Sequence, residues 1–207
     1  MILKARHHFI IHPFFKAYTL WKMSRHFSRV ELTNSLPISD KPVLLLSNHT
    51  SWWDGFWVMW VNLKVLRRKF HFMMLEDQLR KHWFFNHTGG FSVSKNHRSL
   101  LETLAYTREL LSDPQHMVLM FPQGSIQSVH EHEIRFQKGV ERILADRFDK
   151  VQVVFQVNLT DYFSQEKPSL WIGLQEYRGE SFRLNDINAA YQAFFDTCLA
   201  AQKRRAE

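Results

Sequence analysis

Val43-Leu44-Leu45-Leu46-Ser47 runs directly into Asn48-His49-Thr50-Ser51-Trp52-Trp53-Asp54. The first five residues form a short apolar run, the pattern of a strand buried on both faces. From Trp52 to Leu66 the chain is aromatic, apolar and of helical length. A strand followed by a helix is the opening of a βαβ unit, and the alternation continues. His71–Leu75, Phe91–Ser94, Met117–Phe121, Val151–Leu159 and Leu170–Leu174 read as further strands. A helix capped by Asn96 is expected through about Leu111, stopped by Pro114. Further helices are expected around Lys138–Phe148 and from Asn185 to Arg205. Asn34–Pro42 and Gly89–Gly90 read as turns or breaks. The fold class is therefore α/β: one domain with a mostly parallel central sheet flanked by helices.

A chain of 207 residues suits one domain and is long enough to bury a core without covalent staples. One cysteine, Cys198, excludes an internal disulfide and a cysteine-rich zinc site. A reducing, cytosol-facing location is the expectation. The net charge of +7 is uneven. Residues 1–30 hold Lys4, Arg6, Lys16, Lys22, Arg25 and Arg29 and no acid, whereas the rest is nearly neutral.

That basic segment also carries aromatics. Phe14, Tyr18 and Trp21 lie at helical spacings of four and three, and Pro13 suits the start of a helix. The spacing predicts an amphipathic helix within residues 7–27. A basic, aromatic helix suits the surface of an anionic leaflet, and packing against a core is the competing role. Residues 1–33 are accordingly set apart as a membrane-contacting segment, with 34–207 as the body. The uncharged stretches are too short to span a bilayer. No helix-turn-helix, RNA-recognition or zinc-finger pattern accompanies the charge, so no nucleic-acid partner is expected.

His49 falls at the carboxyl edge of a buried strand, where α/β folds bind ligands. Asp54 follows five residues later, in the first turn of a helix that Ser51 can cap. From there a carboxylate can turn back to the imidazole. Such a partner fixes the tautomer and raises the basicity of the other ring nitrogen, which suits taking a proton from a hydroxyl. A capping arrangement beside an inert histidine is the alternative. Phe121-Pro122-Gln123-Gly124-Ser125 ends another strand in a sharp turn. Its backbone N–H groups suit an oxyanion or a phosphate, or serve only the turn.

His130-Glu131-His132-Glu133 sits in a polar stretch without complete zinc spacing, and no metal site is expected. Nucleotide-binding glycine patterns and a Gly-x-Ser-x-Gly elbow are absent from the sequence. Lys64, Arg67, Arg68 and Lys69 form a basic cluster suited to phosphates, to an acidic partner or to solvent alone. Trp53, Phe56, Trp57 and Trp60 make one helical face, suited to contact with lipid or to the core.

The order of the pieces is more specific than any one of them. Asn-His-x-Ser-x-x-Asp at 48–54 comes first, then Gly89–Lys95, then Phe121–Ser125, then Phe136-Gln137-Lys138-Gly139. In this the sequence resembles the glycerolipid acyltransferase superfamily, which includes 1-acylglycerol-3-phosphate O-acyltransferases, over about residues 40–160. The resemblance implies transfer of an acyl group from acyl-CoA or acyl-carrier protein to a hydroxyl or amine of a lipid-like acceptor. No other cofactor is implied. His49 would be the general base and Asp54 its orienting partner. Ser51, Lys95, Phe121, Pro122, Gln123, Gly124 and Ser125 would line the substrate site or steady the tetrahedral intermediate.

The departures point to the acceptor. Members with phosphate-bearing acceptors look like Phe-Pro-Glu-Gly-Thr-Arg at the third motif. Here Gln123 replaces the acid and Ile126 the arginine, and Lys95 stands where the second motif has an arginine. Arginine is the better bidentate clamp for phosphate. The expected acceptor is therefore not a simple glycerol phosphate. A thioester hydrolase and a catalytically silent lipid-binding module are the alternatives.

Overall fold

The computed structural model describes residues 2–94, 97–147 and 149–205. Seven strands form one sheet: β1 (Arg29–Leu32), β2 (Val43–Ser47), β3 (Lys69–Leu75), β4 (Gly90–Val93), β5 (His116–Met120), β6 (Gln152–Asp161) and β7 (Ser169–Glu176). Their spatial order is β1-β7-β6-β2-β5-β3-β4. Every neighbouring pair is parallel except β6 and β7.

Strand β2 sits between β5 and β6 and is buried along its whole length. Its alternate residues divide the core. Leu44 and Leu46 pack with Val153, Phe155, and residues of α4 (His97–Leu110), α5 (Gly139–Leu144) and α6 (Leu184–Lys203). Val43 and Leu45 pack with Met117, Leu119, and residues of α1 (Ile11–His26) and α2 (Asp54–Val61). Helices thus cover both faces, and an all-apolar strand is what such a double layer requires. The registers Leu46↔Met120 and Ser47↔Gln156 bring the carboxyl ends of β2, β5 and β6 together.

Four local features differ from the sequence expectations. Arg29–Leu32 and a short helix, α3 (Glu76–Lys81), join the fold unannounced. Helix α2 starts at Asp54 and passes into a π-helical turn, Asn62–Leu66, closed by Arg67 in the left-handed region. The helix expected around Lys138–Phe148 shortens to α5, because Ala145 turns extended and Asp146 takes φ 58°. Phe148 itself, Asn96 as a cap, and Lys95 lie outside the described residues.

Helix α1 forms as expected, with Pro13 in its first turn. Its aromatic side is divided between core and solvent: Tyr18 packs, half-buried, against the core. Thr19 and Met23 are its buried residues, whereas Phe14 is 59% and Trp21 53% exposed.

Candidate active site

His49 lies two residues beyond β2. The strand end is anchored from β6. The Asn48 side chain donates to the Asn158 carbonyl (3.0 Å) and accepts the Asn158 N–H (2.9 Å). Asn158 in turn donates to Ser47 Oγ (3.0 Å) and accepts from the Gln156 amide (2.8 Å). Tyr191 of α6 donates its hydroxyl to the Gln156 carbonyl (2.9 Å) from a fully buried position. A buried polar network of this kind fixes one geometry, because each broken bond leaves a desolvated group unpaired.

Asp54 is the first residue of α2 and is wholly buried. Its Oδ2 accepts His49 Nδ1–H at 2.7 Å, Thr50 N–H at 2.7 Å and Ser51 N–H at 3.0 Å. Its Oδ1 accepts the Ser51 hydroxyl at 3.1 Å. Four donors on one carboxylate call for its ionised, acceptor-only form. Nδ1 of His49 therefore carries a hydrogen, and in the neutral imidazole Nε2 carries the lone pair. Nε2 makes no hydrogen bond among the described residues, and the imidazole side chain is 22% exposed. The helix N-terminus adds a favourable field for the anion. The carboxylate thus both organises the loop and grips the ring. Ser51 accepts the Trp53 N–H (3.0 Å) instead of capping the helix, so its hydroxyl is occupied within the loop.

Phe121, just past β5, stacks its ring on the His49 imidazole with centroids 4.0 Å apart and planes at 9°. Pro122 is buried, and its carbonyl accepts the Gln137 N–H at 2.8 Å, tying in Phe136–Gly139. Gly124 takes φ +76°, a left-handed turn position that glycine occupies without strain. Gly124 and Ser125 are exposed. The N–H groups of Ser125 and Ile126 make no hydrogen bond among the described residues, while that of Gly124 is used within the turn.

Gln123 does not face outward. It is buried, and its Oε1 accepts the His49 N–H at 2.7 Å. Its amide nitrogen donates to Gln127 Oε1, and the Gln127 N–H donates to the His49 carbonyl at 2.9 Å. Gln127 and Asn158 were not singled out by sequence reasoning. No motif spacing marks them, and β-strand pairing alone brings Asn158 to residue 48.

The structure thus gathers His49, Asp54, Ser51 and residues 121–125 at one sheet edge. Lys64–Lys69 lies at the opposite edge, at the amino end of β3. A cleft of about 510 Å³ beside Arg108, Arg147 and Lys150 also lies away from His49. Neither region adjoins the His49–Asp54 pair or the Phe121–Ser125 turn.

Residues 29–155 match the model of the Acyltransferase family. The chain belongs to this family of glycerolipid and lysophospholipid acyltransferases. It is an acyltransferase acting on a lipid acceptor. The matched stretch begins at β1, ends within β6 and includes both His49–Asp54 and the Phe121–Ser125 turn. No individual curated protein matches the chain. Among the described residues, no helix of this acyltransferase is long and apolar enough to cross a membrane.

Proposed function

We propose that this acyltransferase moves a fatty acyl group from a thioester, acyl-CoA or acyl-carrier protein, to a hydroxyl or amine of a membrane lipid. His49 is the general base. The observation that carries this reading is the 2.7 Å bond from His49 Nδ1 to the buried Asp54, which leaves Nε2 unoccupied. Nε2 takes the proton of the acceptor group as its oxygen or nitrogen attacks the thioester carbonyl. The tetrahedral oxyanion is met by N–H donors, for which Ser125 and Ile126 supply the unused groups. Collapse expels the thiolate, which recovers the proton from the imidazolium. No acyl-enzyme is formed.

The acceptor lacks a simple phosphomonoester as its recognised group. Ile126, 57% exposed, stands where phosphate-binding relatives of this type carry arginine. Gln123 bears less on this than its place in the motif suggests, because its amide is turned to His49.

The enzyme works from the membrane surface through its aromatic face. Phe14 stacks on Tyr18 at 6.0 Å, Tyr18 meets Phe56 at 6.1 Å, and Phe56 meets Trp52 at 4.8 Å. Trp52 is 61% exposed and three residues from His49, so the patch borders the site. Lys22 lies over the rings of Tyr18, Trp21 and Trp53, placing a cation among them. Exposed aromatics beside acid-free basic sequence suit an anionic interface.

Mass-spectrometric lipid profiles of cells with the wild type, with no protein and with His49→Ala test this reading. A lyso-lipid accumulating in the latter two, with loss of its acylated product, supports it and identifies the acceptor. Selective acylation of lysophosphatidic acid by the purified protein contradicts the acceptor assignment. Trp21→Ala is expected to weaken binding to anionic vesicles about tenfold; unchanged binding in co-sedimentation contradicts the membrane face.

A further inference from the structure

The turn after β5 closes a hydrogen-bonded ring around residue 49. Gln123 Oε1 holds the His49 N–H, Gln127 N–H holds the His49 carbonyl, and the two side chains are joined by Gln123 Nε2–H to Gln127 Oε1. Both polar groups of one residue are thus held by one five-residue turn. Gln123 is only 4% exposed, so an acceptor in the open site does not reach its amide directly.

We propose that Gln123 and Gln127 are positioning residues, a neutral amide clamp that holds the backbone of His49 in register with Asp54 and Phe121. This rests on the reading of His49 as the base. It assigns the glutamine at position 123 to the rate of the chemical step and not to recognition of the acceptor.

The direction of the hydrogen bonds makes the assignment specific. Gln123 must present its carbonyl to the His49 N–H, so its NH₂ must face residue 127. Residue 127 must then offer an acceptor. Only one orientation of the two amides satisfies both bonds. Glutamate at 127 still offers an acceptor. Glutamate at 123 still accepts from His49, and the Gln127 amide rotates to donate to it. Glutamates at both positions place two carboxylates in contact with no hydrogen between them, which is costly in a buried place. Leucine at 127 leaves the Gln123 NH₂ buried and unpaired. Side-chain placement matters here because a small misplacement of a catalytic group costs rate more than binding.

The test is steady-state kinetics of the full-length protein on lipid vesicles, with the acceptor found by lipid profiling, alongside thermal melts. Gln127→Leu is expected to lower kcat about tenfold with the acceptor KM within about twofold. Gln127→Glu is expected to restore most of that loss. Gln123→Glu with Gln127→Glu is expected to lose more than the product of the single effects, the mark of a coupled pair. A rise in acceptor KM at unchanged kcat for Gln123→Leu would overturn the clamp and make Gln123 an acceptor contact. Failure of Gln127→Glu to restore kcat in a protein that melts like the wild type would overturn it as well. His49→Ala separates the two levels. If His49→Ala stays active, the base assignment falls; if it is inactive while the glutamine variants change only KM, the clamp alone falls.

Discussion

Two sets of histidines lie in or beside this sheet, and their surroundings are opposites. His49 lies at the carboxyl edge with a buried carboxylate on Nδ1, an aromatic ring on its face and Nε2 unoccupied. His12, His7, His71 and His116 form a chain of rings with successive centroids 4.8, 4.9 and 4.6 Å apart. Among the described residues, His116 is the one ring of the four with an acid beside it, Asp113 at 3.4 Å. His71 is 2% exposed, and neither ring nitrogen has a hydrogen-bond partner among the described residues. Burial, followed by neighbouring positive groups, pushes His71 down to about 2 and His12 down to about 4. His7 is lowered too, chiefly by burial, although it bonds the Phe70 carbonyl. Lys69 and Lys16 are the cations facing this group. Among the described residues no three metal-ligating side chains converge, here or elsewhere. A buried imidazole without an acid is held neutral and inert, whereas one gripped by a carboxylate is oriented for proton transfer.

Removing the carboxylate beside His49 is expected to have the largest effect. Asp54→Asn keeps the size of the side chain but gives the loop N–H groups and Nδ1–H a poorer acceptor and frees the tautomer. It is expected to lower kcat by about 10³-fold or more, measured as acceptor-dependent thiol release. Acid probes the other set. Unfolded histidines take up protons near pH 6.5, but buried His12 and His71 resist until far lower pH. Between those values the unfolded chain binds more protons. The stability of this cluster is therefore complete above about pH 6.5 and is lost as pH falls toward the folded values. A melting temperature lower by about 5 °C or more at pH 5 than at pH 7 is expected by calorimetry. Phe121→Leu removes the ring on His49 and is expected to cost about fivefold in kcat, the size of one aromatic pair. His71→Leu removes an unpaired buried imidazole. It is expected to raise stability by up to about 1 kcal/mol and to flatten the acid-side loss, with kcat maintained.

The two sets also differ in how far they can be read from sequence. His49 and Asp54 are five residues apart and follow an apolar run that fixes the strand, so local spacing carries their pairing. The silent cluster is assembled from positions 7, 12, 71 and 116. It exists because the N-terminal segment pairs along the Asn86–Ser92 stretch, with Arg6 N–H on the Asn86 carbonyl and Ser92 N–H on the Leu3 carbonyl. No periodicity announces that contact. Strand β1 escapes for a related reason: Arg29-Val30-Glu31-Leu32 is four residues long, half of them charged, and is a strand only because β7 offers it an edge. The antiparallel turn of β7 against β6 is likewise decided by pairing and not by composition. The aromatic stripe of α1 was legible as a stripe. Its division between core and solvent was not, since helical spacing tells which residues share a face but not what that face meets. Gln123 was legible as a departure from a motif, but its role depends on Gln127 and on the peptide at residue 49.

Central to this account is that His49 Nε2 removes the acceptor's proton. The most direct measurement is thiol release from acyl-CoA by purified wild type and His49→Ala, on vesicles with and without the acceptor lipid, with melting curves of both. The account predicts acceptor-dependent release by the wild type and a loss of about 10³-fold or more in His49→Ala at an unchanged melting temperature. Acceptor-dependent release that survives in a folded His49→Ala would contradict it.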